Sequence, residues 1–273
     1  SLFWEEVPMA KRGKTGLVKK ILFVFFWLLI WQIASMAVGS ELLLPSPWQT
    51  LQAFGGLMMQ QSFYFDVGWS MARILGGFIF GAVTGMLLGL IGSRWTWVKD
   101  LCGPILALAK SVPVASFIIL AVLWMRSALV PVFIGFLIVW PSVQENTTAG
   151  IASIPRDLLE MAQVYQFGPL KTFRAITLPH VLPYLHGAAK SAIGLGFKSA
   201  VAAEVVTRPV YAMGSRLYES KLYLEVPELF AWTMVILLLS VGTEKMYGFW
   251  VSHTAWAKRG LLTGGIHERN GSV

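Results

Sequence analysis

Among the ionisable side chains that interrupt otherwise apolar stretches are Lys110, Lys198 and Glu204. A charge at membrane depth must pair, reach water or line a solute path. Lys110 stands beside Ser111 and Pro113, and broken backbone at that depth survives only where protein covers it or a wet cavity receives it. These five residues are therefore the candidates for a translocation path. Bond-making chemistry has no comparable signature. The sequence holds no G-x-x-x-x-G-K-[ST], so it lacks a P-loop, and Gly194-x-Gly196 lacks the third glycine and the strand context of a dinucleotide site. There is no HExxH and no cysteine pair, and Cys102 is the sole cysteine, so no intrachain disulfide is possible. His180 and His186 flank a proline-rich loop and read as interfacial side chains, not metal ligands. No nucleophile–base constellation stands out, so neither an enzyme nor a metal site is expected.

The other polar concentration is the stretch from Ser153 to Pro183, SIPRDLLEMAQVYQFGPLKTFRAITLPHVLP. Ser153 reads as an N-cap, with Pro155 in the first turn. Leu158, Leu159, Ala162 and Tyr165 recur at helical spacing on one face. Gly168-Pro169 is expected to end this helix, with a glycine able to take the left-handed conformation and a proline that cannot continue it. A second run, Leu170 to Leu178, should stop at Pro179. An amphipathic helix in a loop between spans needs something to dock against, and the chain has no soluble domain to receive it.

The elements that must position these residues follow from composition. The 273 residues are 56% hydrophobic and 13% charged, with a mean hydropathy of +0.64. Soluble domains carry about twice that charged fraction. Lipid is the expected solvent, and the chain reads as one all-α, polytopic domain of about six spans. The formal net charge is +8. The cations collect beside apolar runs, as topology signals do, and this argues against a nucleic-acid surface. The first apolar run is long, without an evident small-residue cleavage site, and reads as a retained span.

In order, residues 1–20 form a basic segment that places the N-terminus in the cytoplasm. Ile21 to Val38 is the first span. Gly39 to Asp66 carries no Lys or Arg and is expected outside; Leu43 to Pro47 turns the chain, and Trp48 to Met59 forms an interfacial helix. The second span, Val67 to Ile91, repeats Gly77, Gly81, Gly85 and Gly89, a strip of bare backbone for tight helix packing. Arg73 is expected to snorkel. The third span, Leu101 to Trp124, is interrupted by Pro104 and Pro113. The fourth, Leu129 to about Thr148, contains Pro141, with Glu145 marking the exit to the cytoplasmic loop. Leu182 to Val206 is the fifth, with Lys190 at its inner boundary. Arg208 to Glu225 is an outside polar segment punctuated by Pro209 and Gly214. Leu229 to Trp250 is the sixth, and the 253–273 tail is placed in the cytoplasm.

The loop also carries a family resemblance. Glu160-Met161-Ala162, then Gly168, then Ile176-Thr177-Leu178-Pro179 resembles the EAA loop of permease subunits of bacterial ABC importers, with Met161 in place of the first alanine. Leu43 to Pro47 (LLPSP) and Ala203-Glu204 are similar to the nitrate/sulfonate/taurine branch, and the resemblance spans roughly 42–249. It implies a permease domain over 21–252, with 153–183 as its coupling loop, in the bacterial inner membrane. It implies a second permease copy, identical or related, two ABC ATPase subunits and an extracytoplasmic solute-binding protein. ATP and magnesium would be bound by the ATPase, and no cofactor by this chain. Asp157, Glu160, Met161, Ala162, Tyr165, Gly168, Leu178 and Pro179 would be the ATPase-coupling residues. Glu160 would make a polar contact or brace the loop. A nitrate-, sulfonate-, taurine- or thiamine-precursor-like solute is implied. A stand-alone secondary transporter or channel explains the spans and their charges equally well, but not the loop.

Overall fold

A computed structural model describes residues 14–253. The expectations for 1–13 and for the tail beyond His253 lie outside the described residues. Every regular element among the described residues is helical: α1 Lys14–Val38, α2 Pro47–Met58, α3 Gln61–Arg94, α4 Thr96–Ser111, α5 Val114–Trp124, α6 Val130–Ala152, α7 Arg156–Val164, α8 Pro169–Thr172, α9 Leu178–Thr207, α10 Met213–Leu222 and α11 Val226–His253. A π-helical turn, Phe173–Thr177, joins α8 to α9.

The axis of the bundle is the glycine strip. A Cβ on Gly77 would lie 2.5 Å from the Val132 carbonyl, and one on Gly85 would lie 2.7 Å from that of Trp140. On Gly81 it would meet the Val139 Cβ at 2.9 Å, and on Gly89 the Thr147 Cβ at 2.6 Å. The partner positions rise in step with the glycines, so α3 and α6 run parallel, backbone against backbone. The four glycines lie where α3 and α6 approach most closely. α9 runs antiparallel to α6: Gly150 abuts Val181, while Gly196 faces Val139. One end of the bundle therefore gathers the starts of α3 and α6 with the end of α9. The opposite end gathers Arg94, Ala152 and α7.

Among the described residues, three helices are long and apolar enough to cross a membrane, within α1, α3 and α11, or four if a bent helix pair counts as one span. The count of about six is not reached on that measure, because α6 and α9 carry too many polar and small residues. The bent pair corrects the third span. α4 and α5 meet at 109° instead of forming one interrupted helix. Pro113 explains the break: it lacks an amide and holds Val112 in an extended conformation at ψ 132°.

The loop helices also differ from expectation. Ser153 is not an N-cap; it ends α6, its hydroxyl bonding the Gly150 carbonyl at 2.8 Å. Pro155 takes the N-cap position of α7. The helix does not stop at Pro179 either. Leu178 donates to the Phe173 carbonyl, a five-residue reach, and the widened turn accommodates the proline in the first turn of α9.

Candidate functional site

Polar side chains gather in several regions. The first is α7 and the turn after it. Leu158, Ala162 and Phe167 pack with Ile151 at the end of α6, Ile154 just after it, and Ile176 in the π-helical turn that leads into α9. The opposite face is open. Asp157 and Glu160 are exposed, as are Val164 (78%) and Tyr165 (70%). Leu159 and Tyr165 therefore do not share the inward face with Leu158 and Ala162. Apolar side chains exposed among carboxylates at a loop make a surface suited to a partner. Glu160 has no hydrogen bond or ion pair among the described residues, so it does not brace the loop within this chain. Met161 is half-open beside it.

The turn uses a different left-handed residue from the glycine that the sequence offers. Gly168 is extended, at φ −63° and ψ 160°, and a Cβ there would meet nothing within 4 Å. Gln166 takes the left-handed position instead, at φ 50°. Its amide bonds the Gln163 carbonyl at 3.0 Å, and the Phe167 amide bonds that of Ala162 at 2.8 Å. This is a Schellman turn with its customary apolar contact, Phe167 on Ala162. The spacing of that apolar pair was the available signal. Lys171 caps the arrangement, its Nζ 3.9 Å from the Phe167 ring centre. Leu178 and Pro179 belong to the start of α9 and are half-buried.

The second region is a set of charges within the bundle, and the structure separates residues that the sequence grouped. Glu204 is fully enclosed. Its carboxylate accepts from the Ser70 hydroxyl at 2.8 and 2.7 Å, the Gly214 amide at 3.2 Å and Arg73 at 3.3 Å. Arg73 does not snorkel; it also donates to the carbonyls of Val210 and Tyr211, each at 2.8 Å. Tyr211 sits at φ 53°, so the guanidinium clamps a strained turn. Gly214 is no loop punctuation. It lies in α10, where a Cβ would come within 2.5 Å of that of Glu204. Beside this node Arg216 binds Asp66 at 2.7 Å and Glu219 at 3.0 Å. Burial opposes the Arg216 charge, but the Asp66 hydrogen bond, with the Asp66 and Glu219 charges, outweighs it and raises its pKa above the ordinary value.

Lys110 lies elsewhere. It pairs with Glu145, at 2.5 and 2.6 Å, across a cavity of about 710 Å³ between α4 and α6. Glu145 thus faces a cavity and does not simply mark a loop exit. Ser111 is exposed and bonds only the Leu108 carbonyl, at 3.4 Å, and Pro113 forms the bend. Lys198 is exposed on α9, apart from both clusters. His180 and His186 hold hydrogen bonds to the Ile176 carbonyl and the Tyr247 hydroxyl, at 2.8 and 3.0 Å. Among the described residues, no group of His, Cys, Asp and Glu could hold a metal ion.

Known proteins resemble this chain in sequence and in architecture. The family described as binding-protein-dependent transport system inner membrane component matches residues 77–244. The bicarbonate transport system permease protein CmpB of Synechocystis is 27% identical over 231 residues, covering 80% of this chain and 79% of that protein. The nitrate import permease protein NrtB of Synechocystis is 29% identical over 194 residues, 66% of this chain and 68% of that one. The riboflavin transport system permease protein RibX of Chloroflexus aurantiacus is 27% identical over 230 residues, 81% and 83%. Among solved structures, a bacterial ABC transporter involved in the import of the acidic polysaccharide alginate superposes with a TM-score of 0.63. It is 17% identical and covers 88% of this chain and 96% of that one.

Proposed function

The chain belongs to the family of binding-protein-dependent transport system inner membrane components, and from that premise we propose that it forms the solute path of an ATP-driven importer and is coupled to a separate ATPase through α7. It is a transport permease, a multi-pass inner membrane protein. The observation that carries the coupling reading is the two-sided character of α7. One face packs through Ala162 on Ile154, just after α6, and on Ile176, in the π-helical turn that leads into α9, and the other leaves Val164 and Tyr165 in the open. A force applied to that outer face is delivered to the two helices that pack along α3.

On this reading both termini and the α7 end of the bundle face the cytoplasm. The remaining partners are a second permease copy, two ATPase subunits holding ATP and magnesium, and an extracytoplasmic solute-binding protein. The segment from Asp157 to Gly168 seats in the ATPase, and Gly168, which nothing among the described residues requires to be glycine, is a position that a partner surface would constrain. The solute is small. Compared relatives are named for bicarbonate, nitrate and riboflavin. Vanadate sensitivity of uptake in cells carrying the whole importer tests the proposal: inhibition is expected, and uptake indifferent to vanadate would mark a stand-alone carrier instead.

A further inference from the structure

Most charges inside the bundle are spoken for. Arg73 pairs with Glu204, and Lys110 with Glu145. Two lysines on α9 are not. Lys190 and Lys198 are both exposed and have no hydrogen bond or ion pair among the described residues. Together with Gly194 they recur every fourth residue, so they share one helix face, about 12 Å apart along the axis.

Their depth makes this exposure costly in lipid. α9 has 30 residues, about 45 Å of helix. A hydrocarbon core of about 30 Å centred on it would cover roughly residues 182–203. Lys190 would lie about 12 Å from the nearer edge, further than its four-carbon stem reaches. An unpaired ammonium there has to face water or a polar ligand.

The surroundings are built for that. Lys190, Ser191, Lys198 and Glu244 line a groove of about 380 Å³ between α9 and α11. Glu244 is laid across Gly194, so closely that a Cβ at Gly194 would collide with its carboxylate oxygen. The absence of a side chain at Gly194 gives Glu244 its place and keeps the floor of the groove bare. The Ser191 hydroxyl donates to the Ala188 carbonyl at 3.0 Å. The exposed Lys245 adjoins Glu244 in sequence but is not part of the lining. The lining charges sum to one net positive, with the cations at either end and the carboxylate between them.

We propose that this α9 groove is a segment of the translocation path that attracts and hands on small oxyanions, from Lys190 to Lys198, with Glu244 preventing either lysine from holding the solute tightly. This rests on the reading of the chain as an importer's permease and narrows its solute to an anion. Conduction requires binding strong enough to enter and weak enough to leave, and alternating charge supplies both.

The test reads local potential directly. In membranes carrying the full-length chain with Cys102→Ser, Ser191→Cys is reacted with an anionic sulfonatoethyl and a cationic trimethylammonioethyl methanethiosulfonate. Leu237→Cys, 59% exposed on α11, is the lipid-facing control. The Ser191→Cys thiol should react at least about tenfold faster with the anionic reagent, relative to the rate ratio of a free thiol in solution. Lys190→Gln with Lys198→Gln should bring that ratio to the free-thiol value, and Lys190→Arg with Lys198→Arg should preserve it. Nitrate or bicarbonate should slow the anionic reaction and chloride-free sulfate-free buffer should not. A thiol at 191 that reacts with neither reagent, or a ratio indifferent to the lysines, overturns the proposal. The readout needs no ATPase. Co-purification of an ATPase, scored on the same membranes, reports the importer reading separately.

Discussion

The amide of Phe167 reaches the carbonyl of Ala162 at 2.8 Å, closing the end of α7 over the residue that docks it to the bundle. The left-handed residue inside that turn is Gln166, at φ 50°. A side chain in this conformation costs roughly 1–2 kcal/mol that glycine does not pay. Gln166→Gly should therefore leave the fold intact and raise thermal stability modestly, by up to about 1 kcal/mol once the greater freedom of the unfolded chain is subtracted. Thermal unfolding of the purified permease measures it.

Gly168 makes the complementary case. Because its backbone is extended and its surroundings are open, Gly168→Val should fold and unfold as the parent does, within about 0.5 kcal/mol. Uptake should nevertheless fall, since the new side chain projects into the surface assigned to the ATPase. Normal uptake with normal stability would remove Gly168 from that surface.

The α3–α6 contact should tolerate nothing. Gly85→Ala places a methyl 2.7 Å from a backbone carbonyl that cannot rotate away. Overpacking of this kind costs roughly 1–3 kcal/mol. Gly76→Ala, where a Cβ meets nothing within 4 Å, is the control and should be neutral. The comparison of folded yields after detergent extraction distinguishes close approach from a general intolerance of the helix.

Two ion pairs should respond very differently. Arg73→Ala leaves the Glu204 carboxylate enclosed without its cation, a loss of about 3–5 kcal/mol. Glu145→Gln breaks a pair whose side chains are 52% and 48% exposed, and water screens most of it, so stability should shift by under about 1 kcal/mol. Unfolding curves of the two variants check the contrast. A large loss in Glu145→Gln would mean that the Lys110 cavity is a structural joint and not a wet one.

What could be read beforehand follows the range of the interaction. The spacing of Gly77, Gly81, Gly85 and Gly89 is a property of one helix, and the packing it implies is what the structure shows. The polar loop and its amphipathic helix were also local signals. Glu204 was legible as a charge at depth but not as a satisfied one, because Ser70 lies 134 positions earlier. The bend at Pro113 was visible as an interruption, yet its angle depends on how α5 packs beside α6 and α9. Gly168 drew the left-handed assignment because glycine adopts that conformation cheaply, whereas the Ala162–Phe167 apolar contact decided it for Gln166. Lys190 was placed at a span boundary; its common face with Gly194 and Lys198 was present in the spacing, but the exposure of that face was not.

The coupling reading rests on the outer face of α7, and one measurement addresses it. The full-length permease, expressed with its neighbouring transport subunits and purified through a tag, is assayed for a bound ATPase, alongside a Val164→Asp, Tyr165→Ser variant. Both side chains are exposed, so the variant should unfold at the parent temperature. The parent should carry an ATPase in about equal amount, as a permease dimer with two ATPase subunits implies, and the variant should lose it. An ATPase retained in full by the variant, or absent from the parent, would contradict docking through α7.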